Sequence, residues 1–131
     1  MVRNILAVIA GYVSWTVVFL GGASIVRLVR PGVYDDAGFT SDAIALALFL
    51  LLSVMASGLA GALTAGLCLR APALWAVVLG GCLLATGIPV QWSAWDKLPV
   101  WYNTAFLVLL LPVTWSGALL VGRTGRAPAA P

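Results

Sequence analysis

The sequence predicts an all-α protein, an integral membrane bundle of four transmembrane helices, on three observations. Apolar residues make up 63% of the chain and charged residues only 8%, whereas a soluble fold needs charges at about a quarter of its positions. The seven basic and four acidic residues leave four charge-free intervals, 4–26, 43–69, 71–95 and 98–122. Each interval is long enough for one crossing of a ~30 Å hydrocarbon core, which takes about 20 helical residues, and too short for two. Lipid offers no partner to a backbone amide, so such runs must close their hydrogen bonds internally, as helices.

Taken in order, the first helix is expected over residues 4–27, ended by Pro31 and Gly32. A cleaved signal peptide, with Gly21-Gly22-Ala23 at the cut, is the weaker reading: the apolar stretch from Ile5 to Val26 exceeds the usual length of a signal core. Thr40, Ser41 and Asp42 supply cap chemistry for a second helix over 42–69. The short turn "RAPA" at 70–73 makes the third helix, 73–94, its antiparallel neighbour. Pro89 is expected to bend or end the third helix, and Pro112 to kink the fourth, over 100–121. Residues 1–122 thus form one domain, and residues 123–131 a basic, disordered tail. Arg3, Arg70, Arg123 and Arg126 fall on one side, and Arg27, Arg30 and Lys97 on the other. The positive-inside rule therefore favours both termini in the cytoplasm.

Absences exclude several chemistries. The chain has no histidine and no glutamate, so the commonest metal ligand and the usual general base near neutral pH are both missing. Cys68 and Cys82 form no C-x-x-C, and they lie about 14 Å apart in depth, too far for a disulfide. Asp35, Asp36 and Asp42 match no calcium-loop spacing. The charge-free intervals hold no carboxylic acid, basic residue or histidine, the groups coupled transporters place there. These absences point to a non-enzymatic protein with no catalytic residue, cofactor or metal site and no nucleic-acid partner.

Three groups of residues stand out. On the second helix Ser53, Ser57, Gly61 and Ala65 recur every four residues, with Gly58, Ala62 and Gly66 as a second row beside them. Small residues at this spacing let another helix approach closely, either within the bundle or in a partner. In "QWSAWDKLPVWYNT", residues 91–104, Trp92, Trp95, Trp101 and Tyr102 flank the boundary between a span and a loop. They read as interfacial anchors, with Asp96 and Lys97 as a candidate outer-rim site between them. Pro89 and Pro112, with the hydroxyls of Thr86 and Thr114, would suit a path through the bundle.

The segments "RNILAVIAGYVSW" and "WDKLPVWYN" resemble those of a broad group of small four-span bacterial membrane proteins without an assigned activity. The resemblance implies the fold and a bacterial inner-membrane location, and no catalytic residue. Two functions follow as expectations. The first is a membrane protein that acts by packing against itself, as a homo-oligomer, or against another membrane protein, in contact with membrane lipid. The second is a small permease or pore for an uncharged or lipid-like solute. A dry, closed interior would favour the first, and a polar cavity reaching one face the second.

Overall fold

A computed structural model describes residues 1–124, which form α1 (Val2–Val29), α2 (Ala43–Leu67), α3 (Pro72–Ser93) and α4 (Val100–Thr124), with a single 3-10 turn at Pro31–Val33. All four helices are long and apolar enough to cross a membrane. The protein is an all-helical membrane bundle, as predicted, and the helix ends fall within three residues of the predicted ones. Pro89 does not end α3, which continues to Ser93. Thr124 is still helical, so the expected tail cannot begin at residue 123, and the remainder of it lies outside the described residues.

Local chemistry sets the ends. Asp42 caps α2 by accepting a hydrogen bond from the Ala45 amide at 2.9 Å. Its carboxylate also meets the Arg30 guanidinium at 3.3 Å, which ties the end of α1 to the start of α2. Pro72 occupies the first turn of α3, where its missing amide costs nothing. Ala71 before it takes φ 49°, the left-handed conformation that reverses the chain within the short turn. At the N-terminal end of α1, Arg3 donates from Nε to the Leu67 carbonyl at 3.1 Å, and Asn4 accepts from the Leu69 amide at 3.2 Å. Two otherwise unpartnered groups at the end of α2 are satisfied in this way.

α2 is the central helix and packs against each of the other three. Its closest approaches lie in the half of the bundle nearest the 68–71 turn, called the turn end below; the half beneath the 30–42 loop is the loop end. A Cβ on Gly61 would run into the backbone carbonyl of Thr114, and one on Gly117 into the carbonyl of Gly58, so α2 and α4 touch backbone to backbone. On the adjoining face of α2, a Cβ on Gly11 would strike the Thr64 hydroxyl and come within 3.1 Å of the Ala60 carbonyl. Thr64 is fully buried there, and its hydroxyl donates to the Ala7 carbonyl at 3.2 Å. With no hydrophobic drive between helices in lipid, such close backbone packing and interhelical hydrogen bonds hold the bundle together.

Candidate functional site

At the loop end the inward-facing side chains are mostly aromatic rather than small. Trp15 and Phe19 of α1 stack with ring centroids 4.9 Å apart. Phe106 of α4 meets both edge-on, at 6.4 Å and 5.5 Å. Trp15 also donates from its indole nitrogen to Ser57 on α2 at 3.0 Å, which fixes its orientation. These rings form one wall of a cavity of about 340 Å³ between α1, α3 and α4. Leu83 and Gly87 of α3 and Leu46 and Phe49 of α2 complete the apolar surround.

The cavity is roofed by the 30–42 loop. At its deep end Tyr12 donates to the Thr86 hydroxyl at 3.0 Å, a link from α1 to α3. The Thr86 hydroxyl in turn donates to the Cys82 carbonyl at 2.7 Å. Above this link the rim residues Leu20 on α1 and Thr86 and Val90 on α3 are exposed, so the cavity opens sideways between the two helices. The roof is a self-organised turn. The Asp35 carboxylate accepts from the amides of Ala37 and Phe39 at 3.0 Å and 2.7 Å, and Gly38 takes φ 80°. Tyr34, Phe39 and Thr40 thereby face the cavity.

A few polar groups line this largely apolar space. The Tyr34 hydroxyl is buried and has no hydrogen-bond partner. Gln91, with only 5% of its surface exposed, also lines the cavity. Arg27 is exposed at the rim, with its guanidinium 5.8 Å from the Tyr34 ring centroid, and no carboxylate among the described residues pairs with it. Buried polar groups normally find partners, so the unpartnered Tyr34 hydroxyl, beside Gln91 and the Arg27 rim, marks this end of the cavity as a candidate binding site.

The residues singled out from the sequence are divided by the structure. Ser53, Ser57, Gly61 and Ala65 are all buried within the bundle. The second row is not a uniform seam: Gly58 meets α4, Ala62 is half-buried, and Gly66 has open space around it. Trp92, Trp95 and Trp101 are exposed, and the Trp92 and Trp95 rings lie 6.4 Å apart. Tyr102 is not an interfacial anchor. It is 5% exposed, belongs to the aromatic core beside Phe106 and lines the cavity. Adjacent helical positions point ~100° apart, so Trp101 and Tyr102 share a depth but not a face. Asp96 and Lys97 are exposed and form no ion pair among the described residues; Lys97 instead sits 4.5 Å from the Phe39 ring centroid.

Pro112 lies within α4, but Thr114 lines no path. It is fully buried and its hydroxyl turns back to the Leu110 carbonyl at 2.6 Å. Thr86, by contrast, does line the cavity. Among the described residues no group of acidic or cysteine side chains is placed to hold a metal. Both cysteines are free, and burial pushes the Cys68 thiol up from its ordinary value, against a smaller opposing pull from Arg3.

Sequence reasoning missed Tyr12, Trp15, Phe19, Tyr34, Gln91 and Arg27 as a group. A signal was present in α1, where Tyr12, Trp15 and Phe19 follow helical spacing and lie too deep to belong to an interfacial belt. Comparison with profiles of known protein families, with curated proteins and with solved structures gave no match.

Proposed function

We propose that this chain is a non-catalytic membrane protein that takes up a lipid-like solute, entering sideways from the bilayer between α1 and α3, and holds or passes it at the loop end. The observation that carries this reading is the 340 Å³ cavity, apolar along most of its wall and open towards the region that lipid occupies. That volume lies at the lower end of the ~300–1,000 Å³ typical of ligand sites. The placement of Lys and Arg favours the loop end outside, and the resemblance to small four-span bacterial proteins supports a bacterial inner membrane.

Native mass spectrometry of the protein purified from membranes tests the reading. A bound amphiphile is expected at unit stoichiometry. Ala23→Phe, which puts a ring into the cavity wall, should lower its retention at least tenfold without lowering the melting temperature. Equal retention by Ala23→Phe would sink the proposal.

Self-association is the second reading. The best small-residue row is engaged within the chain, so an oligomer would have to use outward positions such as Gly66, which has room for a neighbour. A fall in apparent mass for Gly66→Leu would favour that reading, and an unchanged mass would remove it.

A further inference from the structure

The shape of the cavity and the placement of its polar groups define the ligand further, on the premise that the cavity binds a lipid-like solute. Arg27 lies in the last turn of α1, and Gln91 three residues before the C-cap of α3. Both therefore sit at the depth where a span meets its aqueous rim. Tyr34 reaches the same cavity from the loop. Deeper in, between Tyr12 and Phe19 on α1, the wall is aromatic and aliphatic down to the Tyr12–Thr86 link. The site is thus polar at the rim and apolar below, in the same order as a lipid.

Its sign is equally one-sided. Arg27, exposed at the rim, is the one charged residue among the described residues lining the cavity. The nearby carboxylates are committed elsewhere or lie outside it: Asp42 is held by Arg30, Asp35 by its own loop amides, and Asp36 and Asp96 do not line the cavity. The Tyr34 hydroxyl is free to donate, and the Gln91 amide lining the same cavity carries N–H donors. A cation flanked by two neutral donors is the complement of an anionic head.

Size limits the number of chains. From Tyr12 to Arg27 the α1 wall runs ~22 Å, and from Leu83 to Ala94 the α3 wall runs ~16 Å, at ~1.5 Å per residue. The volume is small for that reach, about 340 Å³, at the lower end of the ~300–1,000 Å³ typical of ligand sites. It suits a ligand with one chain better than a lipid with two. We infer that the cavity is a binding site for an anionic single-chain amphiphile, with Arg27, Tyr34 and Gln91 holding the head and the α1–α3–α4 aromatic slot holding the chain. A fatty-acid carboxylate and a lysophospholipid phosphate share this chemistry.

Trp15 lies against the chain portion of the site, so quenching of its fluorescence by brominated probes in detergent reports occupancy. The Trp15→Phe protein supplies the background from the other tryptophans. Brominated palmitate and a brominated lysophosphatidate should each quench the Trp15 signal saturably, and the tighter of the two identifies the head. The brominated fatty alcohol, of equal chain length but neutral, should bind about tenfold more weakly or less, the magnitude of one charge-assisted hydrogen bond. Arg27→Gln should remove that difference by weakening the anionic probes alone, Arg27→Lys should retain part of it, and Tyr34→Phe should weaken both anions a few-fold.

If the alcohol binds wild type as tightly as palmitate, or Arg27→Gln leaves palmitate binding intact, the head assignment falls while the cavity reading stands. If no probe quenches Trp15 saturably, the cavity reading itself falls. Competition by millimolar inorganic phosphate or acetate would reduce the site to one for small anions and overturn the single-chain assignment. Absence of such competition supports it.

Discussion

The two ends of the bundle are built from the same four helices and differ in what those helices turn inward. At the turn end α2 presents Gly58, Gly61, Ala60 and Thr64, and its neighbours answer with Gly117 and Gly11, so backbones meet. At the loop end the inward residues are Trp15, Phe19, Phe49, Tyr102 and Phe106, and the helices surround a cavity. In water the apolar loop end would collapse to exclude solvent. In lipid, where apolar surface has no need to hide, packing quality alone decides. Small residues pack backbone to backbone, whereas rings that stack on each other leave a slot that side chains do not fill. The contrast teaches that, in a membrane, a run of small residues marks where a bundle is shut, and an inward aromatic stripe marks where it can hold something.

The contrast is broken most severely by closing room that the turn end does not have. Gly61→Leu drives a side chain into the Thr114 backbone, and overpacking of this kind costs ~1–3 kcal/mol. The melting temperature in detergent should fall clearly, whereas Gly66→Leu, with nothing within 4 Å of its Cβ, should stay within ~0.5 kcal/mol of wild type. Equal effects at the two glycines would show that the close α2–α4 crossing is not what stabilises the bundle.

At the loop end the opposite sign is expected. Tyr34→Phe removes a buried hydroxyl that has no partner, and an unsatisfied buried group costs ~1–3 kcal/mol. Delipidated Tyr34→Phe should therefore be as stable as wild type or more so, as read by thermal melting. A marked loss would mean that the hydroxyl already has a partner in the protein. Tyr12→Phe cuts the one side-chain link from α1 to α3 at the deep end of the cavity. It should cost about 0.6 kcal/mol, the usual size of an interhelical hydrogen bond in lipid, and speed exchange of a bound probe. Smallest of all, Trp92→Phe and Asp96→Asn act on exposed groups and should alter melting by no more than ~0.5 kcal/mol.

How much of this was legible beforehand depends on which property each part uses. The helices were legible because the cost of burying charge in lipid confines Arg, Lys and Asp to the gaps, so the gaps could be located from charge alone. The cap at Asp42 was equally local. The row through Gly61 was visible because close approach demands small residues at fixed spacing, although its occupant, α4, was not. Tyr102 was misplaced because a belt is defined by depth alone, and depth cannot distinguish an outward ring from an inward one. The cavity was invisible for a more basic reason. It is the space left by residues from four helices and one loop, and no single segment encodes it. Gln91 was visible only as a polar residue near a span end, and its value comes from lining the cavity.

The α2–α4 crossing has a mechanical consequence as well. Two glycines against two carbonyls leave no side-chain thickness between α2 and α4 at that level, which makes the crossing the keel of the bundle. Phe49 lies twelve residues from Gly61 along α2, ~18 Å at the helical rise. Over that radius the angle at which the two helices cross fixes how far apart their loop ends stand. The gauge of the slot is thus set at the far end of the molecule, by Gly61, Thr114 and Gly117, none of which lines it.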